Sequence, residues 1–408
     1  MLTGKRSSLT FIAFVLCLSG SVFAQARVTY TVNCSLGVSL VTAVAFAVPN
    51  STINITGTCA GPVTISTDGL ILNAVGAAGI TGGGKDAVTV NGVRRIGLTG
   101  LTITGGANGV VVQNGAQATL QNDTVANNTS SGIVVRGNSN VTLTGGSSQG
   151  NAIHGVDVEA TSSLTVKGAY TVSGNGVFGI NINDGSSLTL TSANLIATQN
   201  TLGIQWGTNA SGFLDGTSVL TANSNLSDGI TIVSGSHVVD FGGTIQTNSN
   251  GIHGISLNSK AGLDLDAASQ VTSSSNGQDG VHLEQASELS IFNNPNFSGN
   301  TGVSTVTAQN NAKGISLQND SRLLDSNYAA IVAQNNTQTG LLVDDGSSVA
   351  FTQNIPVSGV QSVFTGNPRD LQLTFGARIT TQGNILLGTY SCDATVLARG
   401  VLLLPCPH

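Results

Sequence analysis

Asn225-Leu-Ser-Asp228-Gly229-Ile-Thr-Ile232, Asn250-Gly-Ile-His253-Gly254-Ile-Ser-Leu257 and Asn276-Gly-Gln-Asp279-Gly280-Val-His282-Leu283 are three consecutive copies of one motif. Its skeleton is a small turn, a glycine, and then apolar–any–apolar. The same skeleton begins at Gly109, Gly132, Gly155, Gly179 and Gly203 upstream, and at Gly314 and Gly340 downstream. Successive glycines are 23, 23, 24, 24, 26, 25, 26, 34 and 26 residues apart. Self-similarity at such a period marks a stacked solenoid, in which each repeat buries its apolar face against the next.

Each period holds a second strand in fixed register. Apolar pairs recur nine and eleven residues after the glycine: Val141 and Leu143, Leu164 and Val166, Leu188 and Leu190, Leu263 and Leu265, Leu289 and Ile291, Val349 and Phe351. Alternation with period two buries one face of a strand. An asparagine stands four residues before most of the glycines: Asn128, Asn151, Asn175, Asn225, Asn250, Asn276, Asn310 and Asn336, with Asn200 one residue out of step. Asparagine tolerates left-handed turns, and stacked amides can hydrogen-bond along a ladder. Short strands and tight turns in 23–26 residues leave no room for crossover helices. The fold class is therefore all-β, a single-stranded parallel β-helix. Only 8% of residues are charged, against roughly 25% in ordinary domains, which suits stacked positions where like charges would repel.

The pattern resembles the right-handed parallel β-helix superfamily of pectate lyases, polygalacturonases and related secreted proteins, over roughly residues 50–390. That resemblance implies the fold; its members include lyases, hydrolases, epimerases, adhesins and proteins without catalysis, so it does not select an activity.

The ends divide off on composition. Residues 1–24 read as a secretory signal peptide, with Lys5 and Arg6, a short apolar core over 9–18, and Val-Phe-Ala at 22–24 before Gln25. Ten apolar residues are too few to span a bilayer. Residues 25–49 read as an N-terminal cap containing a short apolar helix over 39–48 stopped by Pro49. Residues 50–390 form the β-helix and 391–408 a C-terminal cap. Removal of the leader leaves 12 basic and 20 acidic residues, a net charge of about −8, which disfavours nucleic acid and anionic membrane as partners. The expectation is a monomer that is not an integral membrane protein, secreted, or periplasmic in a Gram-negative host. Cys34 and Cys59 lie at one end and Cys392 and Cys406 at the other; in an exported chain they read as two local disulfides.

Chemistry-bearing residues concentrate just before the motif glycine. Consecutive rungs place Asp228, His253 and Asp279 there, and Lys313 follows; His282 and Glu284 stand beside them on the outward strand positions. Two carboxylates two rungs apart, at about 4.8 Å per rung, approach the spacing of an inverting glycosidase, with one acid and one base. Asp228, His253 and Asp279 are the catalytic candidates, and His282, Glu284 and Lys313 the ligand-binding ones. Ser227-Asp228-Gly229-Ile and Ile252-His253-Gly254-Ile-Ser look like partial matches to polygalacturonase strand starts. The Asp-Asp pair and the Arg-Ile-Lys of that family are missing. The 34-residue interval after Gly280 adds a loop around 293–300, near Phe292 and Phe297, that could wall a groove.

A second acidic group, Asp215, Asp240, Asp264 and Asp266, lies on the other strand. Asp240, Asp264 and Asp266 could hold Ca2+, as pectate lyases do by resemblance, with Lys260 as the nearby base. Asp240 falls at an inward position, so this site requires a one-residue slip that buries Val239 and Phe241 instead. Thr119, Thr142, Thr165 and Thr189 form an outward ladder that suits a solvated strand; Arg136 and Glu159 read as a surface ion pair, and Trp206 as core. The leading functional reading is a secreted β-helix that binds polysaccharide or another extended ligand. The alternatives are an inverting glycoside hydrolase or calcium-dependent polysaccharide lyase, and a noncatalytic adhesin-like surface solenoid.

Overall fold

A computed structural model describes residues 27–293, 302–326, 329–352, 361–382 and 385–400. The expected signal peptide, Phe297 and Cys406 lie outside the described residues. The chain coils as a right-handed parallel β-helix. Among the described residues, fourteen strands, one per coil, stack into a narrow sheet, and a wide sheet of twenty-four takes up to two strands from each coil. Every pairing in both sheets is parallel: Ile230–Val233 lies on Ile255–Asn258, which lies on Asp279–Leu283 and then Lys313–Leu317.

The inward columns run unbroken through the stack. Val156, Ile180, Ile204, Ile230, Ile255, Val281, Ile315 and Leu341 follow one another in register, all buried. Trp206 takes an inward place between Ile182 and Ile232. Gly212 makes room for it, since a Cβ there would meet the indole Nε1 at 2.8 Å.

The asparagines form one buried ladder. Asn225 Nδ2 donates to Asn250 Oδ1 at 3.1 Å, and Asn250 Nδ2 to Asn276 Oδ1 at 3.1 Å. The backbone N–H of Asn225 donates to the same Asn250 oxygen at 3.0 Å, so one amide satisfies two buried donors of the coil before it. The rung before Gly314 uses Asn311, not the expected Asn310, and Asn200 is a full member. Asn310 instead takes the left-handed conformation, φ 58°. The ladder ends where Asn367 Nδ2 donates to Asp370 Oδ1 at 2.8 Å. This ladder explains the motif glycine: a Cβ on Gly229 would meet Asn250 Nδ2 at 2.7 Å and the carbonyl oxygen of Gly254 at 2.7 Å.

The ends differ from the expected division. The helix Leu40–Ala45 is present, N-capped by Ser39, whose Oγ accepts from the Thr42 N–H, and it buries Leu40 and Val44. Before it, however, Thr29–Asn33 is already a strand of the stack and pairs with Thr52–Ala60. At the other end Leu397–Gly400 still pairs with Arg378–Thr381. Both presumed caps thus carry ladder strands, because their alternating apolar residues are too few for a window of one period to register. Cys34 and Cys59 form a disulfide. Cys392 is disulfide-bonded as well; its expected partner, Cys406, is not among the described residues.

Three carboxyls stand inside the core. Asp123, Asp240 and Asp325 are buried, and each has one oxygen without a hydrogen-bond partner. Burial pushes all three up to about 7, more than backbone or serine hydrogen bonds pull them down. Asp240 occupies an inward column between Leu214 and Leu265. The one-residue slip that would expose it does not occur, because Val238 and Leu263 hold the register from the same buried face.

Candidate functional site

Alternation along the narrow sheet turns the residue two past each motif glycine outward. His282 therefore stands between Ser256 and Ser316 on the outer face, while Asp279 and Lys313 pair at the strand starts. These residues come from three successive coils yet converge, since stacked coils lie only about 4.8 Å apart.

Asp279 is the hub, with its side chain 1% exposed. Its Oδ2 accepts from Ser316 Oγ at 2.6 Å and lies 3.2 Å from His282 Nδ1; its Oδ1 accepts from Lys313 Nζ at 3.2 Å. Burial alone would raise its pKa. The hydrogen bonds from His282 and Ser316, with the charge of Lys313, outweigh that and hold it below the usual carboxylate range. The imidazoles of His253 and His282 stack nearly parallel, centroids 4.6 Å apart and planes 7° apart. Their side chains are 13% and 14% exposed.

Tautomers follow from the donors. The Asp279 backbone N–H donates to His253 Nδ1 at 3.3 Å, so that nitrogen carries a lone pair and the proton sits on Nε2. Burial lowers the pKa of His253 by more than the Asp279 carboxylate raises it, so the ring is neutral at neutral pH. At His282 the assignment reverses. The single Ser316 hydroxyl proton goes to Asp279, so His282 Nδ1–H is the donor toward Ser316 Oγ, 2.8 Å away, and Asp279. Glu284 lies beyond the far edge of that ring, 3.7 Å from Nε2, held by Asn258 Nδ2 at 3.3 Å and Asn319 Nδ2 at 3.2 Å.

Asp228 joins the group through the backbone. Its Oδ1 accepts from the His253 N–H at 2.9 Å and its Oδ2 from Thr231 Oγ1 at 3.3 Å. All six expected residues of this face thus form one linked cluster. Ser316, Asn258 and Asn319 were missed, because a serine or asparagine on an outward strand position or, like Asn319, in the turn after a strand carries no signal of its own. Further along the sheet, His154 stacks on Phe178 with centroids 5.0 Å apart, and burial lowers its pKa to about 4. Arg136 does not pair with Glu159. It reaches the opposite way and donates to Gln113 Oε1 at 3.1 and 2.8 Å.

The proposed calcium ligands do not converge. Asp240 points into the core, while Asp264 faces out on the next coil and pairs with His237 at 3.2 Å. Asp266 Oδ1 accepts from the Ala267 N–H at 2.6 Å. An open groove of about 430 Å³ does lie on this outer face of the wide sheet, lined in part by His237, Lys260, Asp264, Glu288 and Phe292. Among the described residues, the donor atoms that do cluster, all within 4.8 Å of one another, belong to His253, Asp279 and His282.

Comparison with known proteins agrees with this architecture. The sequence pattern of the family described as the right-handed beta helix region matches residues 51–224. No curated protein sequence matches the chain. Among solved structures, a chain of the Vag8–C1 inhibitor complex is 16% identical, with a TM-score of 0.56 over 92% of this chain and all of that one. The A-module of the mannuronan C-5 epimerase AlgE4 from Azotobacter vinelandii is 14% identical, with a TM-score of 0.44 over 86% of this chain and 93% of that one. The pectate lyase Pel9A is 14% identical, with a TM-score of 0.43 over 63% of this chain and 80% of that one. At these identities the likeness is one of fold. The chain has a right-handed parallel β-helix fold. Among the described residues, no helix is long and apolar enough to cross a membrane.

Proposed function

We propose that this protein is an exported β-helix that binds an extended polysaccharide along the outer face of the narrow sheet, centred on His253, Asp279, His282 and Lys313. The observation that carries this reading is the convergence of those side chains, with Asp228 and Glu284, from successive coils of a chain with 8% charged residues. The Cys34–Cys59 disulfide supports an oxidising compartment. A column of polar and stacked side chains on a rigid sheet presents repeated hydrogen-bonding groups, which suits a repeating ligand.

The geometry favours binding over glycoside hydrolysis. An inverting hydrolase needs one protonated carboxyl aimed at the leaving oxygen and one free carboxylate activating water. Asp279 is held ionised with both oxygens engaged, and both oxygens of Asp228 accept hydrogen bonds from His253 and Thr231. Asp279 is thus a fixed anion rather than a protonated acid, and Asp228 is tied to the backbone of the next coil.

The test is a glycan array and a reducing-end screen on the mature protein, run with His253→Ala and Asp279→Asn. Retention of polysaccharide by the parent, its loss in both variants, and no reducing ends released are the expected results. Equal binding by parent and variants would show this face to be ordinary solvated surface, and turnover abolished by Asp279→Asn would replace binding with catalysis.

A further inference from the structure

We propose that His253 Nδ1, Asp279 Oδ2 and His282 Nδ1 form a binding site for one borderline divalent cation of the Zn2+ type. The inference takes the same face as the functional centre and so rests on that reading, but it adds a ligand that no carbohydrate chemistry requires.

The donor set selects the metal class. Two imidazoles and one carboxylate suit zinc, copper, nickel or iron, whereas calcium takes six to eight oxygens. Zinc binds nitrogen at about 2.0–2.1 Å and carboxylate oxygen at about 2.0–2.2 Å, so tetrahedral donors sit about 3.3 Å apart. His282 Nδ1 and Asp279 Oδ2 already stand 3.2 Å apart. His253 Nδ1 and the same oxygen are 3.8 Å apart and must close by about half an ångström to reach that separation. The two rings must also rotate out of their 7° stack, because each lone pair lies in its own ring plane.

The protonation pattern is that of a metal site with a proton in the ion's place. His253 Nδ1 is already unprotonated; its lone pair accepts the Asp279 N–H at 3.3 Å, a long hydrogen bond that the ion would displace. At His282 the Nδ1 proton lies between the nitrogen, the carboxylate and Ser316 Oγ. A cation there moves that proton to Nε2, with no net release from a neutral ring. Glu284 waits on that side, 3.7 Å from Nε2, as the outer carboxylate that so often orients a metal-bound histidine. Lys313 stays on Oδ1 and Ser316 Oγ on one lone pair of Oδ2, so the ion takes the position on Oδ2 that the His282 Nδ1 proton now fills. With three protein ligands, at least one coordination position remains for water or for a ligand oxygen.

The experiment is calorimetric titration of ZnCl2 into the untagged mature chain after chelator dialysis, repeated with CoCl2 to read its visible absorption. We expect one saturable equivalent, with His253→Ala, His282→Ala and Asp279→Asn each weakening it by about 10-fold or more. Lys313→Met, which removes a neighbouring positive charge, should tighten it. Circular dichroism and thermal unfolding of each variant, matched to the parent, exclude simple unfolding. No saturable uptake, unchanged affinity in any of the three ligand variants, or no tightening in Lys313→Met overturns the site. The titration contains no glycan. Metal uptake by a protein that binds no glycan would stand while the polysaccharide reading fell. Glycan binding without metal uptake would do the reverse.

Discussion

Replacing Asp240 by asparagine should make the protein more stable at pH 8 than the parent, and no more stable at pH 5. Asp240 is 0% exposed in a column of leucines. Its Oδ1 accepts the Gly243 N–H at 2.8 Å, and its Oδ2 has no hydrogen-bond partner. Burial raises its pKa from 3.8 to about 7. Because the folded-state pKa lies above the unfolded one, its stabilising contribution is full below pH 3.8 and is lost as the pH rises through 7. A shift of about three units corresponds to about 4 kcal/mol lost between those limits. Asparagine keeps the shape and the acceptor for Gly243 but does not titrate. It leaves an amide N–H unpaired, at a cost of about 1–3 kcal/mol that does not vary with pH. The variant-minus-parent stability should therefore rise with pH by about 2.5 kcal/mol from pH 5 to pH 8, the rest of the roughly 4 kcal/mol being lost already below pH 5. Urea unfolding followed by the single tryptophan, Trp206, reports on this part of the stack, since that indole packs over Gly212, the rung partner of Val238, which lies two residues before Asp240. Asp123 and Asp325 titrate similarly in both proteins and cancel in the difference. Parallel pH profiles for parent and variant would refute the reasoning.

Ile255→Asp should bury an unpaired carboxylate between Ile230 and Val281 and cost about 3–5 kcal/mol, read as a large fall in urea midpoint. Asn250→Ala should remove the acceptor of two Asn225 donors and cost about 2–4 kcal/mol. Its signature is faster amide exchange at Asn225 specifically.

The repeat was legible because close packing in a solenoid acts identically on every coil. The apolar column through Val156, Ile180 and Ile255 follows from period-two alternation, and the structure keeps that register. The glycine was legible as a marker but not as a cause. Its reason is the asparagine amide of the next coil, a contact more than twenty residues away in the chain. The choice of Asn311 over Asn310 turned on which of two adjacent residues takes the left-handed turn, and composition does not decide that. Asp240 was read as misplaced because a buried carboxylate violates the pattern. The structure keeps it inside, since moving it out would expose Val238 together with it.

At the site, the pre-glycine column revealed Asp228, His253, Asp279 and Lys313 because rare charged residues stand out against a background of serine and threonine. It could not reveal that Ser316 and Lys313 saturate Asp279. That saturation turns a presumed acid–base pair into a fixed anion. Arg136 was assigned to Glu159 by column position, yet its side chain lies along the sheet toward Gln113. Register places a Cα, and rotamer choice decides the partner.

The most direct test of where this protein works is amide hydrogen exchange, by mass spectrometry, of the mature chain alone and saturated with its best array polysaccharide. The account predicts slowed exchange in peptides covering residues 226–233, 251–258 and 278–284, with no change on the outer face of the wide sheet at His237–Phe241 and Gly262–Asp266. Protection confined to the wide-sheet groove lined by His237, Asp264 and Glu288 would contradict it.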